Sequence, residues 1–209
     1  MSSPLAVYEE MLERPEQPSV ARFADGSARR ALVARWTSVA DAVDERALRG
    51  LAGPVLDVGC GPGRHLSALT RSGIFALGVD LSPAAVSLAR GAGGRAIVGS
   101  IFDEVPRGGQ WSSALLLDGN IGIGGSPEHL LRRVRELLVP GGKIVVELAA
   151  PTRATVYTRV RLETASRYSD WFDWAEVSAA DADRVLHDAD LTVASRWHMG
   201  GRWFVTVAT

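Results

Sequence analysis

The chain of 209 residues has few of the features that assign a protein to a special class. Its one cysteine, Cys60, excludes an internal disulfide bond. Its formal net charge is −1, so it lacks the basic character typical of nucleic-acid-binding proteins. No apolar run is long enough to span a bilayer, the N-terminus lacks the pattern of a targeting signal, and the histidines show no metal-ligand spacing. We therefore expect a cytoplasmic protein with no membrane segment and no metal site.

Hydrophobic residues make up 46% of the chain, which is enough for one globular domain with a full core. Segments typical of buried strands alternate with helical segments from residue 55 onward. Strands are predicted at residues 55–59, 75–80, 96–98, 113–118 and 143–148. Repeated β-α-β units require a parallel sheet with helices on both faces, so a doubly wound α/β fold is predicted. Two last strands, 191–197 and 203–208, flank a Gly-Gly turn and predict an antiparallel pair.

Residues 1–50 are predicted to form an N-terminal helical cap on a domain that comprises residues 51–209. A short helix is expected at about residues 5–12, followed by a loop whose tip can cover a pocket. Apolar residues then recur at spacings of four, three and four, which predicts one amphipathic helix over residues 29–48. These apolar residues are Leu32, Trp36, Val39 and Val43.

Residues 152–177 interrupt the alternation of strands and helices and predict an inserted hairpin, because apolar and polar residues alternate there. The segment is rich in aromatic residues, namely Tyr157, Tyr168, Trp171, Phe172 and Trp174. They are compatible with a lid over a ligand, with packing against a sheet edge, or with the contact of a homodimer. The sequence leaves these three interpretations open.

The segment from Val55 to His65 carries the strongest functional signal. An apolar run that contains Asp57 is followed by glycines at every second position, Gly59, Gly61 and Gly63, which predicts a strand that turns sharply into a helix. Glycines remove the Cβ atoms that would keep a ligand away from the backbone. The dinucleotide fingerprint requires a further glycine at the position of Arg64, and no P-loop lysine follows, so NAD and ATP are disfavoured.

Polar residues follow four of the predicted strands, namely Asp57, Asp80, Ser100 and Asp118. In a doubly wound sheet the carboxyl ends of the strands border the ligand crevice, so we expect these side chains to lie close together. Asp80 suits the hydroxyls of a ribose, and Leu81, Ile101 and Phe102 offer apolar surfaces for an adenine. Asp57 and Asp118 favour a ligand with positive charge, such as an ammonium and a sulfonium.

The chain from about Val55 to Thr209 resembles the class I S-adenosylmethionine-dependent methyltransferases in three motifs. These are residues 57–63 (Asp-Val-Gly-Cys-Gly-Pro-Gly), 78–82 (Gly-Val-Asp-Leu-Ser) and 138–143 (Leu-Val-Pro-Gly-Gly-Lys). The resemblance implies a Rossmann-like sheet of seven strands, mostly parallel with an antiparallel last strand. It also implies that S-adenosylmethionine is the cofactor and S-adenosylhomocysteine the product.

The resemblance further implies which residues hold the cofactor. Gly59, Gly61 and Gly63 would lie against its methionine part, Asp80 would bind the ribose, and Ser100, Ile101 and Phe102 would surround the adenine. Asp118 and Gly119 would line the methionyl side. Cys60 is interpreted as a packed loop residue and His65 as one that orients the cofactor or the loop. Ser100 stands where many relatives carry aspartate, which puts that contact in doubt.

Methyl transfer from a sulfonium needs alignment above all, and a general base only where the acceptor loses a proton. His129 is the first candidate for a base, and Asn120 and Tyr157 are candidates for hydrogen bonds to the acceptor; a structural role is the alternative for each. The glycine-rich segment 119–125 predicts a flexible, mostly apolar lip. It lacks the Pro-Pro-aromatic motif of base-modifying relatives, which disfavours nucleic acid as the acceptor.

The sequence therefore predicts a methyltransferase that acts on oxygen or nitrogen of a small molecule. One alternative is a non-catalytic relative that binds S-adenosylmethionine for regulation. The other is a nicotinamide-dependent oxidoreductase.

Overall fold

The computed structural model describes residues 2–209. Its strands are β1 (Val20–Phe23), β2 (Ala28–Arg30), β3 (Val55–Val58), β4 (Ala76–Asp80), β5 (Ala96–Val98), β6 (Trp111–Leu116), β7 (Leu138–Leu148), β8 (Val156–Glu163), β9 (Phe172–Glu176), β10 (Thr192–Met199) and β11 (Arg202–Ala208). Its α-helices are α1 (Pro4–Glu13), α2 (Val33–Trp36), α3 (Ala42–Leu48), α4 (Arg64–Arg71), α5 (Pro83–Gly91), α6 (Pro127–Leu137) and α7 (Ala182–His187). Within this described part of the chain, no helix has the length and apolar character needed to cross a membrane.

Seven strands form the main sheet in the order β10-β11-β7-β6-β3-β4-β5. The pairs β6–β7, β3–β6, β3–β4 and β4–β5 are parallel, whereas β11 is antiparallel to both of its neighbours. The predicted doubly wound fold, with seven strands and an antiparallel last strand, is confirmed.

The core lies on both faces of the main sheet, and its interior strand β3 is buried on both sides. All four residues of β3 are buried. Leu56 and Val58 pack in the cluster that contains α6 and α7, and Val55 packs in the cluster that contains α3, α4 and α5. Since successive side chains of a strand point to opposite faces, Asp57 shares the face of Val55. This alternation places one carboxylate among apolar side chains at the end of β3.

A second sheet has four antiparallel strands in the order β2-β1-β8-β9. The β8–β9 hairpin predicted at residues 152–177 is confirmed, with Val156 opposite Glu176. No sequence pattern indicates its partners, because β1 and β2 come from the N-terminal segment; Val20 of β1 lies opposite Glu163 of β8. Within this sheet β8 is therefore an interior strand and β9 is an edge strand, and the other two strands come from the N-terminal segment.

The N-terminal segment, predicted as two helices joined by a loop, contains the strands β1 and β2 as well as helices. The short first helix is confirmed as α1, but the single helix expected over residues 29–48 is divided into β2, α2 and α3. The cause is local: Asp41 accepts hydrogen bonds from the amides of Val43 and Asp44, and this capping box starts a new helix. Val39, expected on the apolar stripe, is 77% exposed. The domain boundary at residue 50 stays a prediction.

The glycine-rich segment forms 3₁₀ turns over Asn120–Gly125 and is not a free, flexible lip. It packs against β9, and a Cβ on Gly122 would lie against the carbonyl oxygen of Ala175 and 2.8 Å from the indole of Trp174. A Cβ on Gly125 would lie 2.7 Å from the Cβ of Asp173. These glycines therefore serve close packing between the two sheets.

Candidate functional site

The glycine loop between β3 and α4 has a backbone conformation that depends on its glycines and on contacts with neighbouring residues. Gly59, Gly61 and Gly63 all have positive φ angles, which glycine adopts at low cost. A Cβ on Gly63 would lie 2.7 Å from the Cβ of Ala89, so no other residue fits there without movement. Nδ2 of Asn120 donates hydrogen bonds of 2.8 Å to the carbonyl oxygens of Val58 and Gly59. Asn120 therefore fixes the loop, and its contact with an acceptor stays a prediction.

Asp80 lies at the end of β4, as predicted, and closes the other side of the loop. Its Oδ2 accepts a hydrogen bond of 2.9 Å from the amide of Gly61, and its Oδ1 accepts one of 2.9 Å from the amide of Ser82. Burial raises the pKa of Asp80, and these two amides partly offset the increase. The carboxylate thus lies against the loop backbone at the place where the ribose contact was predicted.

Asp57 lies beneath the loop with 1% of its surface exposed. Its Oδ2 has no hydrogen-bond partner within residues 2–209, and the nearest cationic group is Nδ1 of His65 at 3.9 Å. Burial raises the pKa of Asp57 to about 6, although the His65 ring acts in the opposite direction. A buried carboxylate oxygen without a partner is costly in a native structure and points to a ligand that satisfies it.

Asp118 follows β6 and has a φ of +55°, which is unusual for a residue with a side chain. Its carboxylate pairs with the guanidinium of Arg64, the first residue of α4, which is 5% exposed. The neighbouring Gly119 has open space where a Cβ would stand. In the sequence, Arg64 stands out only as a departure from the dinucleotide fingerprint, and no pattern marks it as a partner of Asp118.

Tyr8 lies beside the glycine loop and is not predicted from the sequence. We call the region bordered by this loop, Asp57, Asp80, Asp118 and Tyr8 the cleft. Tyr8 projects from α1, and its hydroxyl lies 3.2 Å from where a Cβ on Gly61 would stand. Burial, together with the nearby Asp80 and Cys60, raises its pKa well above the usual value. The phenol therefore stays protonated at neutral pH. No motif marks Tyr8; only the expectation that the N-terminal segment covers a pocket pointed in this direction.

The residues predicted to surround an adenine are placed differently from one another. Leu81 and Phe102 are exposed, whereas Ile101 is 4% exposed and packs in the core. Ser100 turns its hydroxyl inward and accepts a hydrogen bond of 3.1 Å from the amide of Phe102. The ring of Phe102 stacks on His129, with centroids 5.2 Å apart and planes within 10°. The side chains of Leu81, after β4, and Phe102, after β5, thus leave two apolar surfaces exposed.

The remaining predicted residues lie in packing or surface positions. The pKa of the Cys60 thiol is raised by burial, and a Cβ on Gly78 would lie 2.6 Å from the Cβ of Cys60, in line with the predicted packing role. Tyr157 is 49% exposed and its hydroxyl donates to Glu128 on α6. His129, on the same helix turn, contacts Phe102. A base at His129 and an acceptor contact at Tyr157 stay predictions.

Comparison with known proteins adds to this geometry. Residues 55–142 match a family model described as a methyltransferase domain. No curated protein matches the chain in sequence. A methyltransferase from Bacteroides fragilis, crystallised with S-adenosyl-L-homocysteine, is 20% identical with a TM-score of 0.80, and the match covers 99% of this chain and 94% of that one.

Two further structures have the same fold at lower similarity. An amino pentose methyltransferase from Micromonospora echinaspora is 20% identical with a TM-score of 0.57, over 79% of this chain and 88% of that one. The 1,6-didemethyltoxoflavin-N1-methyltransferase of Burkholderia thailandensis is 18% identical with a TM-score of 0.59, and the match covers 84% of this chain and 80% of that one. At these identities the likeness shows the fold.

Proposed function

We propose, because residues 55–142 match a methyltransferase-domain family model, that the protein moves a methyl group from S-adenosylmethionine to oxygen or nitrogen of a small molecule. The observation that carries this proposal is the buried Oδ2 of Asp57, which has no partner in the described chain and lies beneath a glycine loop at the carboxyl end of the sheet. An ammonium group in the cleft would satisfy this oxygen. The residues present fit the amino-acid end of such a cofactor.

Each cleft residue has a role that follows from its position. Asp80 is placed to accept hydrogen bonds from ribose hydroxyls, Leu81 and Phe102 to contact an adenine, and the glycine loop to let the methionine part approach the backbone. The bound cofactor supplies a methyl group already activated on a sulfonium. Tyr8 donates a hydrogen bond and does not act as a base at neutral pH, because its phenol stays protonated.

Alignment of acceptor, methyl and leaving group is the main contribution that we assign to the protein, and alignment is worth about 7–11 kcal/mol in favourable cases. Asp57 and Asp80 are carboxylates beside the glycine loop, and neither forms an ion pair with an arginine or lysine of the described residues, which favours a cationic ligand over the pyrophosphate of a dinucleotide. This charge balance supports S-adenosylmethionine over NAD.

A small-molecule acceptor is supported by two relatives of the same fold, whose names specify an amino pentose and 1,6-didemethyltoxoflavin. The net charge of −1 gives no support to nucleic acid as acceptor. Contact between two copies through the exposed aromatic residues of the hairpin, and a cytoplasmic location, remain predictions of the sequence.

Calorimetry with S-adenosylhomocysteine and NAD tests the cofactor assignment. We expect the wild-type protein to bind the first and not the second. Asp80→Ala should weaken binding by about 1.5–3 kcal/mol, because a charge-assisted acceptor is lost, and Asp80→Asn should weaken it less, because one acceptor oxygen remains. Asp170→Ala removes an exposed carboxylate and is the control. Equal affinity in wild type and Asp80→Ala would contradict the ribose contact.

Transfer itself is tested by incubating the protein with labelled S-adenosylmethionine and a metabolite extract, followed by mass spectrometry. A labelled small molecule supports the enzyme. Tight cofactor binding with no labelled product supports the non-catalytic alternative, and retention on NAD supports the oxidoreductase.

A further inference from the structure

A buried ion network lies behind the cleft and is centred on Asp44 of α3, which is fully buried. We call it the Asp44 network; its members are Asp44, Arg35, Arg64, Arg202, Asp118 and Glu147. The carboxylate of Asp44 lies 2.7 Å from Nη1 of Arg202, 3.4 Å from Nε of Arg64 and 3.4 Å from Nη2 of Arg35. Asp44 precedes residues 55–142 and Arg202 follows them, so the network joins both ends of the chain to the cleft.

The network holds Asp118 at three points. Arg64 pairs with one of its carboxylate oxygens, and Nη2 of Arg202 lies 3.5 Å from the other. The amide of Asp118 donates a hydrogen bond of 2.8 Å to Glu147, which in turn accepts bonds of 2.7 Å and 2.6 Å from Arg202. A residue with a positive φ persists where its surroundings over-determine it, and these contacts supply that constraint.

The six members of the network comprise three carboxylates and three guanidinium groups, and the ring of His65 also lies 3.5 Å from the Asp44 carboxylate. Removal of the Asp44 carboxylate would leave Arg35, Arg64 and Arg202 facing two carboxylates, so the cleft would become more positive. Removal of the Arg202 guanidinium would have the opposite effect. A general loss of structure would not change the charge of the cleft in opposite directions in these two variants.

We infer that Asp44 and Arg202 are positioning residues that set the orientation of Asp118 and the charge of the cleft, and so determine its preference for a sulfonium over a neutral thioether. The inference rests on the proposed function, since it concerns the same cofactor. Asp44 and Arg202 contact Asp118 or its partner Arg64 and act through them. Residues outside the matched range 55–142, Asp44 before it and Arg202 after it, then contribute to the preference for the charged cofactor over its product.

The test compares affinities for S-adenosylmethionine and S-adenosylhomocysteine, which differ by one positive charge at sulfur. Asp44→Asn should lower the affinity ratio for the first over the second by about fivefold, as expected for loss of one charge near the cleft. Arg202→Gln should raise the same ratio. Glu163→Gln is the matched control, because it removes one carboxylate that pairs with Arg22 and Arg161 in the second sheet; its ratio should equal that of the wild type.

Each outcome decides the inference. Opposite changes of the ratio in the two variants support it, and equal losses for both ligands in both variants overturn it, because a purely structural role would have that effect. If thermal melting shows that Asp44→Asn does not fold, the direction of the change in Arg202→Gln decides alone. Wild-type protein that binds neither ligand would refute the proposed function instead, and that measurement comes first.

Discussion

The cleft and the second sheet are stabilised in different ways. The cleft buries its charges, so Asp57 is 1% exposed and has an oxygen without a partner among the described residues. The second sheet leaves its ion pairs near solvent, as with Arg22 and Glu163, whose side chains are 35% and 17% exposed. Exposed pairs contribute about 0–1 kcal/mol, whereas a buried charge strongly affects both stability and ligand binding. Substitutions should therefore separate the two regions.

The largest effect is expected where the two regions touch, at Gly122. Gly122→Ala places a methyl group against the carbonyl oxygen of Ala175, a backbone atom that moves only with β9. We expect the free energy of unfolding to fall by about 3 kcal/mol, the upper range for an overpacked site. Urea denaturation measures this change.

Gly99→Ala is the control for that substitution, because no atom lies within 4 Å of the position of its Cβ and its φ is not positive. Its free energy of unfolding should stay within about 0.5 kcal/mol of the wild type. Equal stability of the two variants would mean that the second sheet is not tightly packed on the glycine-rich segment. The flexible lip predicted from the sequence would then be correct.

The sequence predicts the main sheet and the positions of Asp57, Asp80 and Asp118 near its strand ends because both depend on local signals. Asp57 and the glycines that follow it lie within seven residues, and each carboxylate follows directly after a strand, so chain order alone places them at one edge. The Asp44 network is different, since Asp44 and Arg202 are 158 positions apart and no pattern relates them. The pairing of β1 with β8 is equally non-local.

Some local signals misled because other local signals or tertiary contacts opposed them. The apolar spacing from Leu32 to Val43 fits one helix, yet the capping box at Asp41 and the pairing of β2 with β1 divide the segment. The glycines at 122 and 125 indicate flexibility only when they are considered alone. In the structure they allow the close approach of β9.

An intermediate effect is expected from the buried charge of the cleft. Burial raises the pKa of Asp57 to about 6, above its value in the unfolded chain. The folded protein then binds more protons than the unfolded chain, so this group favours folding fully at low pH, and that contribution is lost as the pH rises through about 6. Asp57→Asn removes this dependence.

The measurement is the free energy of unfolding of wild type and Asp57→Asn at pH 4 and pH 7. We expect the variant to gain about 2 kcal/mol relative to the wild type between these pH values, as a pKa shift of this size implies. Asp170→Asn, at an exposed position in the connection between β8 and β9, should show no such gain. A pH-independent difference between wild type and Asp57→Asn would mean that the carboxylate is not buried in a costly environment.

The smallest effect is expected at His129, beside Phe102, where we propose that the adenine binds. His129 stacks on Phe102 at 5.2 Å, so its ring supports an apolar surface, and this geometry favours support of the cofactor over action as a base. His129→Ala should weaken binding of S-adenosylhomocysteine by about 0.5–1.5 kcal/mol, and His129→Phe, which keeps an aromatic ring, should restore it. Calorimetry measures both affinities. Restored affinity with turnover lost in His129→Phe would instead identify His129 as the base, since phenylalanine stacks but accepts no proton.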